Sequence, residues 1–131
     1  MKENRRTNNP VGVLLLLALT IWSCTSTAPS PITGLTGVVM RAPVTPVCRV
    51  DVPCDAPFSA GFTVQRGASR VATFRSDGGG QFTVFLAPGS YTVVPDADAP
   101  VISPTRQVKA VTVLDNGTLT VVQLMFDTGI R

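Results

Sequence analysis

Short apolar segments recur along residues 32–126 and are separated by clusters of Gly, Pro, Asp and Asn. In residues 62–65 apolar and polar side chains alternate, which is the period of a strand with one buried face. No segment in this part of the sequence has a helical period, so we predict an all-β sandwich of seven strands. The predicted strands are residues 32–40, 62–65, 71–75, 81–86, 91–94, 108–114 and 118–126.

Three turn signals define the expected connections. The glycine-rich residues 76–80 supply positive φ at little steric cost. Pro88-Gly89 suits a type II turn, with Pro at the second position and Gly at the third. The Asp-Asn-Gly run at residues 115–117 predicts a β-hairpin. Because residues 118–126 are the most apolar strand, we expect them in the centre of a sheet.

The N-terminus has the pattern of an export signal. Residues 1–10 are polar and positively charged, and residues 11–22 form an unbroken apolar run. As a helix this run would span roughly 18 Å, which is short of the ~30 Å hydrocarbon core of a membrane. We therefore predict a signal peptide over residues 1–23, outside the folded domain of residues 32–131.

Two cleavage sites are compatible with this signal. Residues 21–24 (Ile-Trp-Ser-Cys) resemble the lipobox of bacterial lipoproteins, which implies that Cys24 is lipidated and becomes the first mature residue. Residues 24–31 would then tether the domain to the membrane. The alternative is cleavage after Ala28 by the signal peptidase that recognises small side chains, which would release a soluble protein.

The three cysteines fit an oxidising compartment. If Cys24 is lipidated or removed, Cys48 and Cys54 remain as a pair. A disulfide between them contributes about 2–2.5 kcal/mol by the loop-entropy relation. Zinc or redox chemistry is disfavoured, because redox pairs favour a C-x-x-C spacing and the chain has no His.

Three segments resemble the carboxypeptidase regulatory-like, or transthyretin-like, domains. Residues 32–38 (I-T-G-L-T-G-V) are similar to the first strand of that family, residues 76–82 (S-D-G-G-G-Q-F) to its T-D-x-x-G-x-F turn, and residues 86–91 (L-A-P-G-S-Y) to its L-x-P-G-x-Y element. The resemblance implies an Ig-like or transthyretin-like Greek-key sandwich. Residues 41–57, a proline-rich loop with two cysteines, depart from the family pattern.

The end of the third segment predicts a structural corner at Pro88, Gly89 and Tyr91. A Tyr just after a Pro-Gly corner can bury its ring while its hydroxyl hydrogen-bonds to the backbone across the corner. Tyr91 is the only Tyr in the chain, and we predict that its role is structural.

The composition disfavours catalysis and nucleic-acid binding. The chain contains no His, and its only Glu is Glu3, so we predict no catalytic residues, no bound metal and no cofactor. Eight of the 11 Lys and Arg and seven of the 8 Asp and Glu lie after residue 23, so the exported part is nearly neutral and we expect no nucleic-acid partner. Arg66, Arg70 and Arg75 are the best candidates for an anion-binding cluster.

These observations predict a non-catalytic lipoprotein of the cell envelope, anchored to a membrane through its lipid and acting as a structural or protein-interaction module. The alternative is a soluble periplasmic or secreted module that binds carbohydrate or another small ligand. Loops held on a rigid sandwich carry function more often than strands do. We therefore expect the protein partner to bind the proline-rich loop, at residues Arg49, Val50, Asp51 and Val52.

Overall fold

The computed structural model describes residues 32–131, and the predicted signal peptide, Cys24 and the tether lie outside the described residues. The described part is all-β and has two sheets, consistent with a β-sandwich. None of its helical segments is long and apolar enough to cross a membrane. In chain order the elements are β1 (Gly34–Ala42), β2 (Ala56–Pro57), β3 (Gly61–Arg66), β4 (Ser69–Arg75), β5 (Gln81–Phe85), β6 (Gly89–Pro95), a 3₁₀ turn (Pro104–Arg106), β7 (Lys109–Val113) and β8 (Leu119–Asp127).

β1 organises the first sheet. Along one side it pairs in parallel with β8, from Gly34 opposite Leu119 to Ala42 opposite Asp127. Along its other side it pairs antiparallel with β5 and then, near its end, with the short strand β2. The second sheet is antiparallel and has the order β4-β3-β6-β7.

Aromatic side chains join the two sheets. The rings of Phe74 on β4 and Phe82 on β5 are stacked, with centroids 4.4 Å apart. Phe62 on β3 contacts Phe126 on β8 at 5.6 Å, and Phe58 lies against both. Burying side chains of this size supplies most of the driving force for a domain this small.

The predicted number of strands is wrong by one. The part of the chain that the structure describes has eight strands, because residues 56 and 57, predicted to be loop, pair with the end of β1 as β2. β1 also extends to Ala42, so Arg41 belongs to a strand and its guanidinium lies over the Phe58 ring, 6.0 Å from the centroid. Arg41 Nη1 also donates a hydrogen bond to the carbonyl of Pro100.

The expected position of the last strand is also wrong. Within residues 32–131, β8 pairs only with β1 and therefore lies at the edge of its sheet. The Asp-Asn-Gly run at residues 115–117 is not a hairpin, because β7 and β8 belong to different sheets. Gly117 has the positive φ that this sequence predicts, 72°, but the turn carries the chain from one sheet to the other. A local turn signal fixes the direction of the chain, and the burial of the strands decides which neighbours they pair with.

The other two turns also cross between the sheets. At residues 76–80, Asp77 Oδ1 accepts hydrogen bonds from the N–H groups of Gly79 and Gln81, and Gly80 has a φ of 73°. Pro88-Gly89 is not a type II turn, because Gly89 has a φ of 147° and already begins β6. Here the ring of Tyr91 is buried, and its hydroxyl donates to the carbonyl of Ala87 at 2.6 Å.

Candidate interaction site

Among the described residues, exposed apolar side chains are concentrated in the disulfide loop, defined here as residues 43–55. It leaves the end of β1 and returns through β2. Pairing of Met40 with Pro57 and of Arg41 with Ala56 closes the base of the loop. The loop is therefore held at both ends by the sheet that carries it.

Cys48 and Cys54 form the predicted disulfide, with their Cα atoms 5.4 Å apart. Two hydrogen bonds add to the cross-link: the N–H of Val44 donates to the carbonyl of Cys54 at 2.9 Å, and Thr45 Oγ1 donates to the carbonyl of Val47 at 3.0 Å. The covalent bond and these contacts restrict a segment that has neither helix nor long strand. A loop restricted in this way loses less conformational entropy when it binds a partner.

The tip of the loop brings together all four residues predicted to form the interaction surface, and all four are exposed: Arg49, Val50, Asp51 and Val52. The N–H of Val52 donates to the carbonyl of Arg49 at 3.3 Å, and Asp51 has a φ of 66°, a conformation that Asp tolerates better than most residues. Val50 and Val52 are 88% and 57% exposed, and the neighbouring Val47 is 74% exposed. Val50 and Val52 are therefore exposed within the ring that the disulfide closes, and Val47 is exposed next to Cys48, just outside the ring.

The C-terminal segment after β8 supports the base of the loop, which the sequence did not reveal. The N–H of Thr128 donates to the carbonyl of Ala42 at 3.1 Å, and its hydroxyl donates to the carbonyl of Pro43. Thr128 lies 85 residues from Pro43 in sequence. No local pattern could have connected them, because the contact depends on the parallel pairing of β1 with β8.

Asp127 and Arg131 form a salt bridge beside the base of the loop, and the pKa values of both side chains are shifted. Arg131 Nη2 lies 2.8 Å from Asp127 Oδ2, and the N–H of Gly129 donates to Asp127 Oδ1. The hydrogen bond from Arg131, and then that from Gly129, lower the pKa of Asp127 to about 2. The same pair raises the pKa of Arg131. Both side chains are largely solvated, so the pair orients the chain end more than it stabilises the fold.

Two shallow grooves flank the disulfide. One, of about 570 Å³, is lined by the loop itself between Thr45 and Cys54. The other, of about 550 Å³, lies between the disulfide, Met125 of β8 and Arg131. Both are open to solvent and have a mixed lining, which suits contact with side chains of another protein better than enclosure of a small molecule.

The arginine cluster expected around the β3–β4 hairpin does not form. Arg66 lies at the turn, where its guanidinium is 5.1 Å from the centre of the Tyr91 ring. Arg75 lies at the far end of β4, opposite Gly61. Five steps along a strand separate these two ends by about 17 Å, so the three arginines cannot bind one anion.

No group of three or more Cys, Asp or Glu side chains within residues 32–131 could hold a metal ion. No protein-family model matches the sequence, and no curated protein is significantly similar to it.

Proposed function

We propose that this protein is a non-catalytic lipoprotein of the cell envelope that presents its disulfide loop to a protein partner. The observation that carries the proposal is the exposure of Val50 and Val52 inside the ring closed by the Cys48–Cys54 disulfide, with the exposed Val47 directly beside that ring. Exposed apolar side chains that cluster on one rigid loop are typical of binding surfaces. The closed loop would present them with little further loss of conformational entropy.

The orientation of β1 supports this role. The described chain begins at Ile32, beside the start of β1, and the disulfide loop follows its end at Ala42. Eight strand steps separate Gly34 from Ala42, or about 26 Å. A tether from Cys24 would therefore enter the domain at the end of β1 that lies opposite the loop. The sandwich would separate the point of attachment from the loop.

The export and family predictions belong to the same proposal. The lipobox-like residues 21–24 support lipidation of Cys24, and the oxidised Cys48–Cys54 pair is typical of an exported domain. Residues 32–38, 76–82 and 86–91 support membership of the transthyretin-like Greek-key class. The lack of any His in the sequence supports a role in binding and not in catalysis.

Site-specific photo-cross-linking in cells that make the protein tests the interaction. A photoreactive residue is introduced at Val50, and the matched control carries it at Val71, an exposed valine on β4. We expect a discrete adduct with another protein from position 50 only. The adduct should be lost from the Cys48→Ser, Cys54→Ser double variant. Equal labelling from both positions, or none from position 50, would contradict the proposal.

Labelling with radioactive palmitate tests the anchor separately. We expect the wild-type protein in membranes to incorporate the label and the Cys24→Ala variant to lose it and leave the membrane fraction. If the wild-type protein is found soluble with an N-terminus after Ala28, the alternative cleavage is correct and the loop proposal remains to be judged by cross-linking.

A binding module for carbohydrate or another small ligand is the second candidate. It is favoured by a groove of about 610 Å³ on the outer face of the first sheet, where the hydroxyls of Thr36 and Thr83 lie 3.0 Å apart beside Gln81. The ring of Phe85 is 68% exposed on the same face. A glycan array probed with the purified protein separates the two candidates, since specific binding that Thr83→Ala abolishes would favour this one.

A further inference from the structure

The exposed edge of β8 differs from the other edges of the two sheets. Natural proteins protect their edges with charge, proline or short length. Within residues 32–131, β4 carries Arg70 and Arg75, β7 carries Lys109, and the opposite edge of the first sheet is divided between the short strands β2 and β5. β8 has no charged residue and no proline from Leu119 to Phe126. It is the least protected edge of the described domain.

The direction of the backbone groups on this edge follows from two contacts. The N–H and C=O of Asp127 bond to Gln107, on the side away from β1, whereas the N–H of Thr128 bonds to Ala42 of β1. Backbone groups alternate in direction along a strand that has a parallel neighbour. The N–H and C=O groups of Val121, Gln123 and Met125 therefore point to the open edge. Among residues 32–131 no strand pairs with them.

We propose that this edge pairs with the β8 strand of a second copy of the chain, antiparallel and about a two-fold axis at Gln123. In this register Gln123 faces itself, and Val121 faces Met125 of the second copy. Each of these three residues then exchanges both of its main-chain hydrogen bonds with its counterpart. The result is a first sheet that continues from one protomer into the other, through an interface that is the same on both sides.

The side chains beside the edge are self-complementary. Val121 is 79% exposed, and Met125 and Gln123 are also exposed on the outer face of the sheet. The pairing sets the two apolar side chains against each other and the two Gln amides side by side, with no like charges opposed. A second copy is therefore favoured over a peptide of unrelated sequence, because Val121, Gln123 and Met125 each find a matched partner in the symmetry mate.

The nearest cation does not oppose this pairing. Lys109 Nζ lies 5.4 Å from the centre of the Phe126 ring, three residues from the proposed axis. The two Lys109 side chains of a dimer would be about 20 Å apart by the strand rise. That separation exceeds the Debye length of about 8 Å at physiological ionic strength. The proposed pairing of residues 121–125 also leaves Asp127 outside the paired segment, where its backbone is already bonded to Gln107.

Two double variants test the register by sedimentation velocity of the processed protein. Val121→Lys with Met125→Lys sets like charges directly opposite each other across the axis, and Val121→Lys with Met125→Glu sets opposite charges there. Within one chain the two positions lie about 14 Å apart, so both variants should keep the fold, which circular dichroism verifies. We expect a concentration-dependent dimer for the wild-type protein, a monomer for the Lys/Lys variant and a restored dimer for the Lys/Glu variant.

A second measurement uses disulfide formation to test whether the two β8 strands lie side by side in this register. Directly opposed residues of a hydrogen-bonded antiparallel pair have Cα atoms about 5.5 Å apart, within the range that a disulfide spans. Gln123→Cys should therefore give a covalent dimer on mild oxidation, and Thr112→Cys, an exposed position on β7, should not. A wild-type protein that stays monomeric at millimolar concentration, or identical behaviour of the two charge variants, would overturn the proposal. Neither readout depends on the disulfide loop or its partner.

Discussion

The side-chain amide of Gln107 occupies the place that a neighbouring strand would take beside Asp127. Its Nε2 donates to the carbonyl of Asp127 at 2.8 Å, and its Oε1 accepts from the N–H of the same residue at 2.7 Å. Nε2 also donates to the carbonyl of Ile102 at 2.6 Å. A primary amide has the donor and acceptor geometry of a peptide group, so this side chain, together with the N–H of Ile102 that also donates to the carbonyl of Asp127, closes the end of the β8 edge.

Replacing Gln107 by Ala should leave both backbone groups at Asp127 with fewer partners in a half-buried position. We expect the free energy of unfolding to fall by about 1–3 kcal/mol, the range for polar groups that lose their hydrogen bonds. Urea denaturation measures the change. Gln81→Ala is the matched control, since this exposed Gln lies on β5 and should change stability by less than about 0.5 kcal/mol. Equal effects of the two variants would contradict the assigned role.

The salt bridge of Asp127 with Arg131 should make stability depend on pH in the acid range. The pKa of Asp127 is about 2 in the folded protein, below its usual value of 3.8. The contribution of this salt bridge to the free energy of unfolding is therefore complete above about pH 4. It is lost as the pH falls toward 2, because Asp127 takes up a proton in the unfolded chain at a higher pH than in the folded one. High salt should weaken it.

Urea titrations across this range compare the wild-type protein with Asp127→Asn. We expect the variant to show a shallower fall in unfolding free energy between about pH 4 and about pH 2. Asp98→Asn serves as control, because among the described residues the single salt bridge is that of Asp127. If the Asp127 variant keeps the wild-type slope and the Asp98 variant does not, the assignment is wrong.

Removal of the disulfide should affect stability modestly and the loop strongly. For the Cys48→Ser, Cys54→Ser double variant we expect the unfolding free energy to fall by about 2–2.5 kcal/mol, as the loop-entropy relation gives. Amide hydrogen exchange should increase most at Val44, whose N–H donates to Cys54, and at Val64 in the core by no more than the fall in unfolding free energy accounts for. A larger increase at Val64 than at Val44 would mean that the disulfide supports the core more than the loop.

The hydroxyl of Tyr91 should contribute measurably to the corner before β6. Tyr91→Phe removes the hydrogen bond to Ala87 and keeps the buried ring beneath the Arg66 guanidinium. We expect the unfolding free energy to fall by about 0.5–1.5 kcal/mol. Tyr91→Ala, which also removes the ring, should cost about 3–5 kcal/mol. A Phe variant as stable as the wild type would show that the ring alone holds the corner.

Local patterns in the sequence were sufficient for the all-β class and the disulfide. Alternation in residues 62–65 and the C-x₅-C spacing both arise from neighbouring residues. The two-residue strand β2 could not be predicted in this way, because it consists of Ala and Pro and forms only by pairing with the end of β1. Its existence depends on a distant partner.

The edge position of β8 also could not be predicted from neighbouring residues alone. Its apolar composition suggests a central strand, but alternate residues face the core and the exterior, and β1 is its single partner in the described structure. Close approach of these two strands requires Gly37, where a Cβ atom would lie 1.7 Å from the carbonyl oxygen of Val122. The sequence displays the glycine, and only the fold reveals the neighbour that excludes a side chain there.

At the candidate site the sequence indicated the tip of the loop but not its support. Proline and cysteine marked residues 43–55 as a special segment, and Arg49 to Val52 proved to lie together at its tip. The contribution of Thr128 could not be foreseen, since it follows from the parallel pairing of the first and last strands.

The mass of the intact protein isolated from membranes tests the central claim most directly. An exported, lipid-anchored domain should have lost residues 1–23, should carry acyl chains on Cys24 and should be two hydrogens lighter for the Cys48–Cys54 bond. A mass that corresponds to the uncut chain, with both loop thiols free to react with an alkylating reagent, would contradict the account.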